Sequence, residues 1–244
     1  MRDPVRIHLM SDSHFSPTGV VEFPKCSADI CVLGGDIFPI GYSDLYEKYI
    51  LRLKEHFEEV IFIAGNHEFY GSSYDETIEG MKSIAERTGA HFLDIKNNPS
   101  FFYKGVKFWG STLWTDFGEG KHKTIIGYSL NDYRATQGLT TDIVEEIHDE
   151  TVEKIEWDAD VIITHHMPVL REHSRIPMDA ITYGFCCTDL EETIKGSGVK
   201  FWLYGHTHDN RREKIGETQL ISNQRGYQRE MGSEGYDPYL VLEV

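Results

Sequence analysis

Five short apolar runs, each ending in a polar cluster, constrain this chain more than any other feature. Residues 5–10 lead into Ser11-Asp12-Ser13-His14, residues 29–33 into Gly34-Gly35-Asp36, and residues 60–64 into Gly65-Asn66-His67-Glu68. Residues 161–163 lead into Thr164-His165-His166, and residues 199–204 into Gly205-His206-Thr207-His208. Runs of this length, rich in β-branched residues and apolar on both faces, predict buried strands of a largely parallel sheet. Helical patterns lie between them. Residues 43–58 place Leu45, Tyr46, Tyr49, Ile50, Leu53 and Phe57 on one face, with Ser43 as N-cap. Ser73-Tyr74-Asp75-Glu76 is a capping box that precedes Ile78, Met81, Ile84 and Ala85 at helical spacing. Residues 141–156 repeat the pattern with Val144, Ile147, Thr151 and Ile155. Thr188-Asp189-Leu190-Glu191 is a second capping box, opening a short helix that runs to Lys195. Strands alternating with helices place the chain in the α/β class. Further extended runs at 105–112, 218–223 and 239–244 predict a second set of strands, read as antiparallel.

No repeat, low-complexity tract or linker interrupts the 244 residues, so one domain over 1–244 is expected. The 13 Phe, 13 Tyr and 4 Trp exclude a disordered chain. Lys and Arg number 24 against 40 Asp and Glu, a formal charge of −16. Both a long nucleic acid and an anionic membrane would repel such a surface, and neither is an expected partner. The N-terminus lacks the apolar stretch of a signal peptide, and the longest apolar run, residues 60–64, is far too short for a membrane span. Cys26, Cys31, Cys186 and Cys187 form no C-x-x-C pair. Reduced thiols and a cytoplasmic location are expected.

In open α/β sheets, ligands bind beyond the carboxyl ends of the strands. Here those ends carry Asp12, His14, Asp36, Asn66, His165, His206 and His208. These are oxygen and nitrogen donors without a thiolate, a set that suits Mn, Fe or Zn rather than a structural cysteine-bound zinc. Seven donors are too many for one catalytic ion that must keep a position open. They suffice for two divalent ions sharing a carboxylate, and Asp36 is the natural bridge, because its two oxygens can each take one metal of a pair about 3.5–4 Å apart. In Asp12-x-His14 and His206-x-His208 the i, i+2 spacing sends both side chains to the same side of an extended segment.

Asp12-x-His14, Gly35-Asp36, Gly65-Asn66-His67-Glu68, His165 and Gly205-His206-x-His208, in that order, resemble the motif series of the calcineurin-like metallophosphoesterases. The resemblance spans residues 5–209. It implies a β-sandwich of two mixed sheets flanked by helices, with the site at strand carboxyl ends. It implies that Asp12, His14, Asp36 and His208 hold one metal and that Asp36, Asn66, His165 and His206 hold the other. It implies hydrolysis of a phosphate ester, with a metal-bridging hydroxide attacking phosphorus. His67 would face the phosphate and assist the leaving group, with Glu68 orienting its imidazole. Asp36 and Glu68 join His67 as catalytic candidates. The expected substrate is a small phosphomonoester or phosphoprotein. The alternatives are a cyclic nucleotide or other small diester, and a scaffold of the same fold that has lost catalysis.

Other residues divide between site and framework. His8, His56, His91, His122, His148 and His173 lie outside the motifs and are read as structural or solvated. Of the adjacent pair, the family pattern favours His165 as the ligand and leaves His166 as its support or a substrate contact. Trp114 to Phe117 is read as a strand end, followed by a long loop reaching residue 138. That loop is either a lid in which Arg134, with Lys121 or Lys123, holds the substrate, or a solvated surface. Asn66, His67, Arg134 and His166 are therefore the candidate substrate contacts. Trp109 and Trp202 are assigned to the core, and residues 223–227 to a turn after a strand. Oligomeric state is not legible from the sequence.

Overall fold

The computed structural model describes residues 3–19, 21–172, 178–187, 190–227, 230 and 235–244. His173, Thr188 and Asp189 lie outside the described residues. Two sheets face each other. The first has the order β11-β1-β2-β3-β4, in which β1 (Arg6–Met10), β2 (Ile30–Leu33), β3 (Glu59–Phe62) and β4 (His91–Phe92) run parallel. Strand β11 (Leu242–Glu243) pairs antiparallel with β1. The second sheet comprises β5 (Ser100–Tyr103), β6 (Val106–Ser111), β7 (Val161–Thr164), β8 (Phe201–Tyr204), β9 (Arg212–Ile215) and β10 (Thr218–Ser222). Its order is β5-β6-β7-β8-β10-β9, with β6, β7, β8 and β10 parallel and the edge strands β5 and β9 antiparallel.

The motif-bearing strands are thus divided between the sheets, three in one and two in the other, rather than gathered in one. The runs at 105–112 and 218–223 are not a separate antiparallel set either, since β6 and β10 flank β7 and β8 in parallel. Burial explains why the pattern did not distinguish these arrangements. Every central strand has one face against the opposite sheet and the other under helices or loops, so all read as continuous apolar runs. The faces alternate with period two. Ile7, Leu9, Ile30, Val32, Ile61 and Ile63 meet Phe108, Val161, Ile163, Phe201, Leu203 and Ile221 between the sheets. Met10, Cys31, Leu33, Val60 and Phe62 turn the other way, toward the helices.

Helix α1 (Ser43–Leu53) is entered through a 3-10 turn at Ile40–Tyr42. Ser43 is therefore inside the helix, and Tyr42 occupies the cap position without a side-chain bond. Tyr46, Tyr49, Ile50 and Leu53 form the buried face, as expected. Helix α2 (Tyr74–Thr88) has both halves of the Ser73/Glu76 capping box and ends at Gly89 in the left-handed conformation. The expected loop before residue 138 contains α3 (Lys123–Ser129) and α4 (Asp132–Ala135), and β6 ends at Ser111, before Trp114. Helix α5 (Thr141–Glu153) is capped by Thr140, and α6 (Glu191–Gly196) begins only at Glu191. Among the described residues no helix is long and apolar enough to cross a membrane, and all four cysteines are free.

Asp94, just after β4, shows how burial acts on an isolated carboxyl group. It accepts the Lys96 backbone N–H at 2.8 Å and the Ser111 hydroxyl at 3.1 Å. Burial outweighs both bonds and pushes its pKa up to about 6. A carboxyl group whose folded pKa exceeds its unfolded value favours folding most below the unfolded value, near pH 4, and that contribution is lost as pH rises to about 6. At about 1.4 kcal/mol per pKa unit, the loss is on the order of 2–3 kcal/mol. Asp94→Asn is expected to be more stable than wild type at pH 7 and equal to it near pH 4 in urea unfolding. An equal gain at both pH values would contradict the burial of an ionising group there.

Candidate metal centre

The motif residues reach one point because the backbone turns sharply at each strand end. Asp12, His14, Asp36, His206 and His208 have φ of 52°, 44°, 57°, 71° and 51°. Each non-glycine residue held in this left-handed region costs roughly 1–2 kcal/mol, so the turns concentrate strain where the side chains converge. Two glycines make room for them. A Cβ on Gly65 would lie 2.2 Å from Asp36 Oδ1, and one on Gly205 would lie 2.5 Å from Asp12 Oδ2. The first sheet contributes Asp12 and His14 after β1, Asp36 after β2 and Asn66 after β3. The second contributes His165 after β7 and His206 and His208 after β8.

Asp36 lies at the centre. Its Oδ1 is 3.4 Å from His165 Nε2, and its Oδ2 is 3.7 Å from His14 Nε2 and 3.8 Å from His67 Nε2. On one side, Asp12 Oδ1 lies 3.4 Å from His208 Nε2, which is 2.9 Å from His14 Nε2. On the other, Asn66 Oδ1 lies 3.1 Å from His165 Nε2. Among the described residues, three groups bring their ligand atoms within 4.8 Å of one another. They are Asp12/His14/His208, His14/Asp36/His67 and Asp36/His165/His206, so Asp36 is shared.

This set fits a cation. His206 Nε2 is buried and has no hydrogen-bond partner, which is unfavourable unless an electron-pair acceptor meets it. The far ring nitrogens are already engaged. His165 Nδ1 faces the Gly34 carbonyl at 2.8 Å and His208 Nδ1 faces Glu230 Oε2 at 2.7 Å. Such contacts fix ring orientation and leave Nε2 for the centre. Burial drives the His206 pKa well below its ordinary value, with His165 adding to the effect, and burial likewise pushes His14 down to about 4. Burial works against ionisation of Asp36, but His165, His67 and His14 outweigh it and hold the carboxyl group well below its usual range. Burial also opposes charging of His165, yet Asp36 prevails and raises it to about 10. The centre therefore combines an ionised carboxylate with imidazoles held neutral at His14 and His206 and charged at His165 and His208, whose protons a metal would displace.

Three expectations need correction. Glu68 does not orient the His67 ring. Its buried carboxylate accepts backbone N–H groups of Asp36 at 2.8 Å, Ile37 at 2.8 Å and Gly65 at 2.9 Å, tying together the loops that carry Asp36 and Asn66. Arg134 does not line the site. Its Nη1 donates to the Tyr128 carbonyl at 2.8 Å, while Lys121 pairs with Glu119 and Lys123 with Asp142 and Glu145. His166 is buried in the wall behind His206, with ring centres 4.2 Å apart, and Nδ1 is 3.4 Å from the Thr112 carbonyl. It is not among the residues lining the cavity over the centre, whereas the Nε2 of His165 faces Asp36 and Asn66.

A cavity of about 300 Å³ opens over the centre. Beside Asp36, Asn66, His67, His206 and His208, its walls are Tyr70, Leu130, Asn131, Asp132, Phe185, Thr207, Tyr227 and Glu230. The Tyr227 hydroxyl lies 3.3 Å from His67 Nε2, and its ring stacks on His14 at 4.2 Å. Residues 223–227, read as a simple turn, thus border the site, and Gln224 Oε1 accepts the His208 backbone N–H at 2.6 Å. Tyr70, Asp132, Tyr227 and Glu230 were not anticipated. Asn131-Asp132 and Tyr227 lay in stretches already noted, but no spacing in the sequence tied them to Asn66 or His67.

Relatives place this geometry. A family model described as calcineurin-like phosphoesterase matches residues 5–210. An uncharacterized protein, L509, of Acanthamoeba polyphaga mimivirus is 24% identical over 249 residues, covering 91% of this chain and 87% of its own. Among solved structures, phosphopantetheinyl hydrolase (PptH) from Mycobacterium tuberculosis superposes with a TM-score of 0.74 at 16% identity, covering 99% of this chain and 96% of its own. A Staphylococcus aureus protein described as a 5′-nucleotidase, in complex with alpha-ketoglutarate, superposes with a TM-score of 0.54 at 16% identity, covering 91% of this chain and 49% of its own. The two superpositions establish a shared fold. With the family match extending from the first motif strand to just beyond His208, the chain belongs to the calcineurin-like phosphoesterase family.

Proposed function

We propose that this protein is a dinuclear metal-dependent hydrolase of small phosphate esters. The observation that carries the reading is Asp36, whose two oxygens face different imidazoles and belong to two donor groups on the cavity floor. Asp12, His14, Asp36 and His208 would hold one divalent ion, and Asp36, Asn66, His165 and His206 the other. The donor chemistry suits Mn, Fe or Zn. When bound, such a pair supplies Lewis acidity toward phosphoryl oxygens and acidifies water at neutral pH.

The protein side chains do the rest. Asn66 and His67 border the cavity where a phosphate would sit. His67 is packed against Tyr70, with ring centres 4.2 Å apart, and directs Nε2 toward Asp36 and the Tyr227 hydroxyl. A proton held at that Nε2 is placed to pass to the departing oxygen. Glu68 positions both metal-bearing loops from below. Leu130 and Phe185 form an apolar wall that admits an organic leaving group and limits water, and the 300 Å³ volume suits a compact ester. The shared core between the sheets supports reading residues 1–244 as one domain. Asp132 and Glu230 in the wall favour a second reading, a monoanionic diester instead of a dianionic monoester, because acidic walls disfavour the larger negative charge.

Dialysis against EDTA is expected to abolish hydrolysis of an aryl phosphate, and added Mn²⁺ to restore it. Activity that survives complete metal removal, verified by elemental analysis, would overturn the proposal. Asp36→Asn is expected to lose metal and activity together. His67→Gln should retain metal but lose about 10²–10⁴-fold in kcat, most on poor leaving groups; unchanged kcat would remove His67 from the reaction. Side-by-side rates on mono-aryl and bis-aryl phosphates decide between the two ester classes, the higher kcat/KM identifying the class.

A further inference from the structure

Asp132 opens helix α4 in the segment between β6 and α5, and it is 3% exposed. It belongs to none of the sequence motifs. Its Oδ1 accepts two hydrogen bonds, from Asn66 Nδ2 at 2.8 Å and from the Tyr70 hydroxyl at 2.5 Å. Asn66 Nδ2 also donates to the Tyr70 oxygen at 3.3 Å. Both hydrogens of the Asn66 amide are thereby engaged away from the centre, while its Oδ1 lies 3.1 Å from His165 Nε2.

A primary amide has nearly the same shape after a 180° flip, but only its oxygen can ligate a cation. The Asp132 oxygen that accepts the Tyr70 hydroxyl acts as an acceptor here, so it meets the NH₂ end of the amide. We infer that Asp132 is a positioning residue that locks Asn66 with its oxygen toward Asp36, His165 and His206. The inference rests on the dinuclear reading above. The same Asp132 oxygen anchors Tyr70, whose ring packs on His67. One carboxyl group thus holds both the proposed metal ligand Asn66 and the ring that supports the His67 imidazole. Stability alone gives no reason for a carboxylate here, since a buried amide could accept the same bonds without desolvating a charge.

Calorimetric titration of metal-free protein with Mn²⁺ tests this without reference to activity. Wild type is expected to take two ions. Asp132→Leu, which fills the space but accepts no hydrogen bond, should keep one site and weaken the other by about 10–100-fold, the range typical of lost support for a ligand. Asp132→Asn, whose amide can present either an acceptor or a donor to Asn66, should recover only part of that affinity. Two undiminished sites in Asp132→Leu would overturn the role of Asp132 while leaving the dinuclear centre intact. Wild-type protein that binds no Mn²⁺, Zn²⁺ or Fe²⁺ would overturn the centre and this inference together. Should Asp132→Leu fail to fold, Asp132→Ala takes its place with the same expectation. Failure of both to fold would make Asp132 a structural residue and overturn the inference.

Discussion

Asp36 is a buried carboxylate that three imidazoles surround and that a fully ordinary strand end could not present. Its backbone sits at φ 57°, and its N–H is bonded to the carboxylate of Glu68. Burial alone would neutralise the group. The neighbouring histidines, arriving from both sheets, keep it ionised, and the His67 backbone N–H donates to its Oδ1 at 2.9 Å. The dependence also runs the other way, because His165 is held in the charged direction by Asp36. Carboxylate and imidazoles therefore form a cluster whose members are poorly stable individually. A divalent cation would replace this proton-balanced arrangement with direct ligation.

Such a cluster requires the two sheets to be in register with each other as well as internally. Met10 pairs with Leu33 and Leu33 with Phe62, so the loops bearing Asp12, Asp36 and Asn66 leave the first sheet side by side. Ser111 pairs with Thr164 and Ile163 with Leu203, which brings the His165 and His206 loops together in the second. The inter-sheet core then sets the distance between these two rows. The contact of the Gly34 carbonyl with His165 Nδ1 joins them directly. A one-residue slip in any of these strands would exchange its core and outer faces. In β1 or β8 it would also withdraw two donors from the centre, and in β2, β3 or β7 one.

The parts of this arrangement that sequence can reveal are those encoded by short-range periodicity. An apolar run followed by Asp, Asn or His identifies a buried strand and its polar end within a few residues, and the Ser73/Glu76 capping box is similarly local. Partition of the strands between sheets is not local, because β3 and β7 present the same apolar pattern to their surroundings. Long-range partners are equally hidden. Asp132 is separated by 66 positions from Asn66, and Tyr227 by 160 from His67. Glu68 misled for a different reason. Proximity in sequence to His67 suggested an effect on the imidazole, but the 3-10 turn at His67–Phe69 sends the two side chains in different directions, one to the cavity and one to backbone N–H groups below it. Arg134 misled because a cation near a phosphate site is chemically attractive, although the helix carrying it faces Asp132 to the cavity and leaves the guanidinium on the Tyr128 carbonyl.

Charge has opposite consequences at two scales. At −16 the whole molecule repels extended polyanions over distances up to the Debye length, about 8 Å at physiological salt. Within the cavity, the positions that could attract a phosphate are imidazoles and any metal they hold, while Asp132 and Glu230 add acidity to the walls. If the proposed hydrolysis holds, attraction confined to so small a region would select an ester by the fit of its phosphoryl group to the centre, with little help from long-range steering. On the proposed reading, discrimination between leaving groups would fall to Leu130, Asn131, Phe185 and Tyr227, cavity residues supplied by connections between the strands. The strand ends can retain one phosphoryl chemistry while these connections change the organic group admitted beside it.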